Sequence, residues 1–144
     1  MDNTQLRLRV TNTSEAHNMG IELWLDQTKF FDSNLSPGTF HVVHNFQTEE
    51  QEHNFKIVLK NKNDSNTTIN EAGDIVTDSI IDIKNFKIDE IEIDQLFNKL
   101  SVYRHNNNGH SELSEHKFFG HLGCNGTVEF KFASPIYLWL LENM

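Results

Sequence analysis

Apolar residues recur at every second position through most of this chain. In Leu6-Arg7-Leu8-Arg9-Val10 the apolar side chains share one face and both arginines the other, which is the signature of a half-buried strand. Ile21-Glu22-Leu23-Trp24-Leu25-Asp26 repeats the pattern: Ile21, Leu23 and Leu25 are core positions, and Trp24 points outward beside Glu22 and Asp26. Phe40, Val42, His44 and Phe46 alternate in a further strand. Phe55, Ile57 and Leu59 alternate with Asn54, Lys56, Val58 and Lys60, and Val128, Phe130 and Phe132 form a last clean example.

Between these runs lie turn residues. A loop covers Asn12 to Gly20, a tight turn Asp26-Gln27-Thr28, a break Ser36-Pro37-Gly38, and an exposed polar connection Gln47 to Glu52. Asn108-Gly109 favours positive φ and marks the segment Arg104 to His110 as a hairpin tip. Glycines punctuate a turn from Gly120 to Gly126, just after Phe118-Phe119, which reads as strand. An isoleucine ladder, Ile81, Ile83, Ile88, Ile91 and Ile93, shifts phase between Ile83 and Phe86, and a bulge near Lys84-Asn85 would account for that. Asp89-Glu90 is the expected turn within the ladder. Asp94 to Leu100 is the one stretch suited to a short helix, with Asp94 as its cap. Ile136 to Leu141 is apolar on both faces and reads as a buried strand, or as an exposed one awaiting a partner subunit. Short strands at regular spacing predict an all-β chain: one antiparallel β-sandwich domain spanning 1–144, jelly-roll-like, with one short helix at most.

Composition narrows the partners. Among 144 residues, 21 acidic against 12 basic side chains give a formal charge of −9. Such a surface repels phosphate backbones, so nucleic acid is not an expected partner. The longest apolar run is far short of the roughly 20 residues that span a bilayer, so no membrane partner is expected either. No basic start followed by an apolar run opens the sequence, and the expectation is synthesis in a cytoplasm without a signal peptide. Cys124 is the one cysteine, which excludes an internal disulfide.

Two kinds of residue point to binding chemistry. The segment from Asn61 to Thr68 is crowded with side-chain oxygens, and calcium takes about six to eight oxygen ligands. Asp64, Asp74 and Asp78, with Asn63 and Asn66, supply enough donors if their loops converge; the plain alternative is turn residues and solvated acids. Aromatic faces stack on sugars through C–H bonds when hydrogen-bonding groups lie beside them. Trp24, out of phase with its strand's core residues, and Tyr103, flanking the Asn-rich tip, are the aromatic candidates, unless Trp24 instead packs in the second sheet interface or under a loop.

The order of features from Leu6 to Ile93 resembles the small calcium-dependent xylan-binding carbohydrate-binding modules. Leu6–Val10 is followed by an apolar strand reaching Asp26, then by Phe55–Leu59 running into Asn63-Asp64, then by Asp78 ahead of the ladder. The resemblance implies a calcium ion held by Asp64 and Asp78 that chelates sugar hydroxyls. The chain departs from that family in its longer intervening loop, in Ser79-Ile80 after the second Asp, and in Gln27 where the family prefers Gly. The last third, from Phe118-Phe119-Gly120 through Gly123-Cys124-Asn125-Gly126 to Asn143-Met144, resembles small uncharacterised proteins of tailed marine phages, which implies a viral origin and a place on the virion.

Other chemistries have weaker support. His105, His110, His116, His121 and Cys124 are zinc-ligand types, but no fixed spacing marks a site, and histidines scattered through polar loops read first as surface residues. No acid pair sits in a catalytic motif, and neither a phosphate-cradling loop nor a nucleophile elbow is present. The expectation is therefore a non-catalytic module that binds a polysaccharide or surface glycan with Ca2+ as the implied ion. The alternative is a decoration or fibre protein contacting only other virion proteins.

Overall fold

A computed structural model describes residues 2–14, 17–48, 51–60, 68–69, 75–77, 80–105 and 112–143. The strands are β1 (Asp2–Asn12), β2 (Met19–Leu25), β3 (Thr28–Leu35), β4 (Gly38–Thr48), β5 (Glu52–Lys60), β6 (Thr68–Ile69), β7 (Ile75–Thr77), β8 (Ile81–Ile88), β9 (Ile91–Glu92), β10 (Val102–His105), β11 (Ser114–Lys117), β12 (His121–Leu122) and β13 (Gly126–Ala133). Two helices, α1 (Asp94–Leu100) and α2 (Ile136–Asn143), complete the described elements.

The strands form an antiparallel β-sandwich. One sheet runs β12-β8-β1-β4, with β9 paired to β8; the other is six-stranded, β11-β10-β13-β5-β2-β3. Among the described residues, β6 and β7 pair only with each other. Period-two alternation decides which side chains enter the space between the sheets. Leu6, Leu8 and Val10 of β1 and Ile81, Ile83, Phe86 and Ile88 of β8 meet Ile21, Leu23, Phe55, Ile57, Leu59, Val128 and Phe130 of the facing sheet. At about 1.5–3 kcal/mol per fully buried large apolar side chain, this layer is the main stabilising term.

A phenylalanine cluster lies within that layer. Phe97, on the buried side of α1, packs against Phe86 at 4.8 Å, Phe130 at 5.2 Å and Phe118 at 5.3 Å between ring centroids. Phe55 meets Phe86 edge-on at 5.0 Å, linking the two sheets. Edge-on and tilted contacts set the positive ring edge against the negative face, which favours this arrangement over flat stacking.

The expected phase shift in the isoleucine ladder is a real bulge. Arg9 pairs with Lys84 and Arg7 with Lys87, so β8 carries one extra residue opposite β1. Asn85 absorbs it with φ 54°, a left-handed conformation that Asn tolerates better than most residues. The turn after β8 is also where expected: Ile88 pairs with Ile91, and Asp89 and Glu90 both take positive φ, 50° and 67°. Positive φ at both central residues is what a type I′ hairpin turn requires.

Four local expectations need correction. Asp94 does not cap α1; Ile93 holds the N-cap position without a side-chain hydrogen bond. The Asp94 carboxylate instead accepts the amides of Asn85 (3.1 Å) and Phe86 (2.7 Å), so it stabilises the bulge that the extra residue leaves open. Phe118-Phe119 is not strand: β11 ends before it, Phe118 turns fully inward, and Phe119 stays 68% exposed. The turn region after Gly120 contains a short strand, since His121 and Leu122 pair with Asp82 and Ile81. Finally, the terminal apolar segment is a second helix rather than a strand. Ile136 and Trp139, one turn apart, are its buried contacts, and Trp139 lies edge-on to Phe130 at 5.7 Å.

Candidate functional site

Whatever the six-stranded sheet buries on one face, it must present the alternate positions on the other. Trp24 pairs across β2 and β5 with Lys56, which pairs with Glu129 of β13, which pairs with Val102 of β10. One row along, Glu22 pairs with Val58, Val58 with Thr127, and Thr127 with Arg104. These rows carry one aromatic ring among charged and small side chains.

Trp24 is held rather than loose. Its indole Nε1 donates to Glu22 Oε1 at 2.9 Å, and the Lys29 ammonium sits 5.6 Å from its ring centroid, within cation–π range. Lys60 Nζ bridges Glu22 Oε2 and Asp32 Oδ1, each at 2.8 Å, and Lys29 closes the array on Asp32 at 3.0 Å. The hydrogen bond from Lys60, and then that from Trp24, holds the Glu22 carboxyl below its usual range. Asp32 is lowered by Lys60 and Lys29, and Lys60 is raised by Asp32 and Glu22. Burial pushes Glu129 upward, but the Asn54 hydrogen bond with Arg104, Lys131 and Lys56 brings it below the ordinary value. The face is thus a mosaic of ionised groups at neutral pH. A groove of about 430 Å³ runs through it, lined by Glu22, Trp24, Asp26, Lys56, Val58 and Thr127.

Tyr103 does not join this groove. It pairs with Val128, whose β5 partner is Ile57, and so lies on the inner face of the same sheet that carries Trp24 outside. It is 5% exposed and lies edge-on to Phe118; its hydroxyl donates to the Cys124 carbonyl and accepts the Cys124 amide at 3.0 Å. Burial pushes that hydroxyl well above the ordinary tyrosine pKa. Tyr103 therefore pins the turn ahead of β13. Asn63, Asp64, Asn66, Asp74 and Asp78 lie outside the described residues, as does His110. His105 stacks on His116 at 4.2 Å, while His121 pairs with Asp82 elsewhere. Burial, reinforced by His116, lowers the His105 pKa. Among the described residues, no group of three or more His, Cys, Asp or Glu side chains is placed to hold a metal ion.

One constellation escaped the sequence. His53 is 3% exposed, and its ring lies against Phe46 and Phe132. Its Nδ1 is 3.0 Å from Asp26 Oδ2, and its Nε2 is 2.9 Å from Ser134 Oγ. The other Asp26 oxygen accepts the Asn54 amide at 2.9 Å, and the Asp26 amide donates to the Asn54 carbonyl at 2.8 Å. Asp26 sits in the β2–β3 turn with φ 55°, and Ser134 lies between β13 and α2. The available signal was phase: His53 falls on the same alternate positions as Phe55, Ile57 and Leu59, and so had to point inward.

The fold and this face define an antiparallel β-sandwich with an aromatic, charge-lined groove on an outer sheet surface. The chain matches no protein-family model, no curated protein and no solved structure.

Proposed function

We propose that this protein is a β-sandwich module that binds a polysaccharide or surface glycan across the outer face of its six-stranded sheet. The observation that carries this reading is Trp24, an indole fixed by Glu22 in a groove flanked by Lys56, Asp26 and Thr127. A sugar ring offers a C–H face to the indole and hydroxyls to the surrounding acceptors and donors. The ionised groups favour a neutral, polyhydroxylated ligand that can bridge both signs of charge.

Tryptophan fluorescence gives a direct test. The two tryptophans differ in setting, since Trp139 is buried and Trp24 lines the groove. Titration across a panel of polysaccharides should change emission for the recognised class, and Trp24→Ala should abolish both the change and the binding heat while leaving the circular dichroism intact. A panel without any binder, or full binding by Trp24→Ala, rejects the reading. The proposed ion is Ca2+, with Asp64, Asp74 and Asp78 as its candidate ligands. If it binds the folded state alone, calcium at about 100 times Kd should stabilise by roughly 2.7 kcal/mol.

A second reading is a virion decoration or fibre protein of phage origin, and the exposed apolar side chains favour it. Tyr137, Leu138 and Leu141 of α2 are 61%, 54% and 74% exposed. Contiguous exposed apolar surface of this kind supports protein contact. Concentration-independent monomers by sedimentation would count against it.

A further inference from the structure

We propose that Ser134 is an activated nucleophile, with His53 as its general base and Asp26 as the residue that positions His53, and that this site cleaves small carboxylic esters. The three side chains come from separate parts of the chain, yet they form one continuous hydrogen-bonded line, Asp26 Oδ2 to His53 Nδ1 at 3.0 Å and His53 Nε2 to Ser134 Oγ at 2.9 Å. A serine–histidine–carboxylate relay is recognised by such geometry and not by sequence position. With Nδ1–H donated to the carboxylate, Nε2 is left as the acceptor of the serine proton, which is the tautomer a general base needs.

Two further features separate this arrangement from a sealed polar network. Ser134 is one of the residues lining a cavity of about 200 Å³, with Gln51, Pro135, Leu138, Trp139 and Glu142. That volume accepts a small acyl group together with a water of about 30 Å³. In addition, the serine stands between a strand and a helix, with α2 beginning at Ile136. Pro135, next in the chain, has no N–H to offer an oxyanion, so that role falls to the first-turn amides of α2, which have no acceptor within the helix.

The chemistry balances without a further reagent. Ser134 Oγ attacks the ester carbonyl while His53 Nε2 takes the serine proton. The tetrahedral adduct collapses, the C–O bond to the alcohol breaks, and the alkoxide leaves with the proton from His53. Water then attacks the acyl-serine, again giving its proton to His53, and collapse releases the carboxylic acid and returns the proton to Ser134.

A fluorophosphonate probe tests this on the intact chain, because serine attack on phosphorus expels fluoride and leaves a stable mass label. The expected result is one label on the Ser134 peptide of the folded protein, none after denaturation, none in Ser134→Ala, and a burst of 4-nitrophenol from 4-nitrophenyl acetate. His53→Gln should slow labelling at least 100-fold. Asp26 is 43% exposed, so its variants should fold. Asp26→Asn should slow labelling at matched melting temperature, and Asp26→Glu should recover more of the rate than Asp26→Asn. Folded protein left unlabelled at Ser134, or equal rates in the wild type and Asp26→Asn, overturns the proposal. Neither outcome bears on glycan binding at Trp24, which is read independently by fluorescence.

Discussion

The two faces of the six-stranded sheet are built from the same strands and do different work. On the inner face Leu23, Ile57, Val128 and Phe130 vanish into a layer completed by β1, β8 and Phe97 of α1. On the outer face Trp24, Lys56, Val58 and Glu129 occupy the intervening positions and meet solvent. The inner contacts are apolar, numerous and intolerant of lost volume, because a close-packed interior cannot refill a hole. The outer contacts are ion pairs and one anchored ring, each worth little to stability, which leaves them free to serve recognition. Damage to the inner face should therefore show as unfolding, and damage to the outer face as lost binding in a folded protein.

The largest test of this division is Phe97→Ala. Phe97 touches Phe55, Phe86, Phe118 and Phe130, and deleting its ring should cost about 3–5 kcal/mol in chemical denaturation. A loss under 1 kcal/mol would mean that α1 is not integral to the core. Asp94→Ala comes next. It strips the acceptor from the amides of Asn85 and Phe86 at the bulge and should cost about 1–3 kcal/mol, whereas a helix-capping role would be mimicked by Asp94→Ser. A full rescue by Ser would return Asp94 to the cap.

The smallest effect belongs to the outer face. A double-mutant cycle on Glu22→Gln and Lys60→Met should give a coupling of about 0.2–1 kcal/mol. Its pH dependence has a definite sign. Glu22 is held below its ordinary value of 4.5 in the fold, so the pair's contribution is fully present above that value. It fades as the pH falls through the lower native pKa. The wild type should thus lose its melting-temperature advantage over Glu22→Gln on acidification below about 4.5, and a constant difference across that range would contradict the pairing.

Much of the architecture was legible because period-two alternation is a local property. The bulge at Asn85, the turn at Asp89-Glu90 and the outward placement of Trp24 each follow from where the alternation holds or slips. α2 was not legible, since Ile136 to Leu141 is apolar at nearly every position, and neither the helical nor the strand period stands out in such a run. Packing of Ile136 and Trp139 under β13 decided it. Asp94 misled for a related reason: an acid ahead of a helix fits a cap from sequence, and only the bulge beside it supplies the better donors.

The candidate sites divide the same way. Trp24 could be singled out because being out of phase is visible in a single strand. Tyr103 could not be placed, because facing inward or outward depends on the register of β10 against β13. The line from Asp26 through His53 to Ser134 joins residues that the chain keeps far apart, and nothing local to any of them announces the others.

Alternation of side chains, set by the covalent geometry of an extended backbone, determined the sandwich, its two faces and the outward-facing tryptophan. Which groups from distant strands end up within hydrogen-bond reach was decided only by tertiary pairing. Register and sheet packing are collective choices, made by the whole buried layer at once.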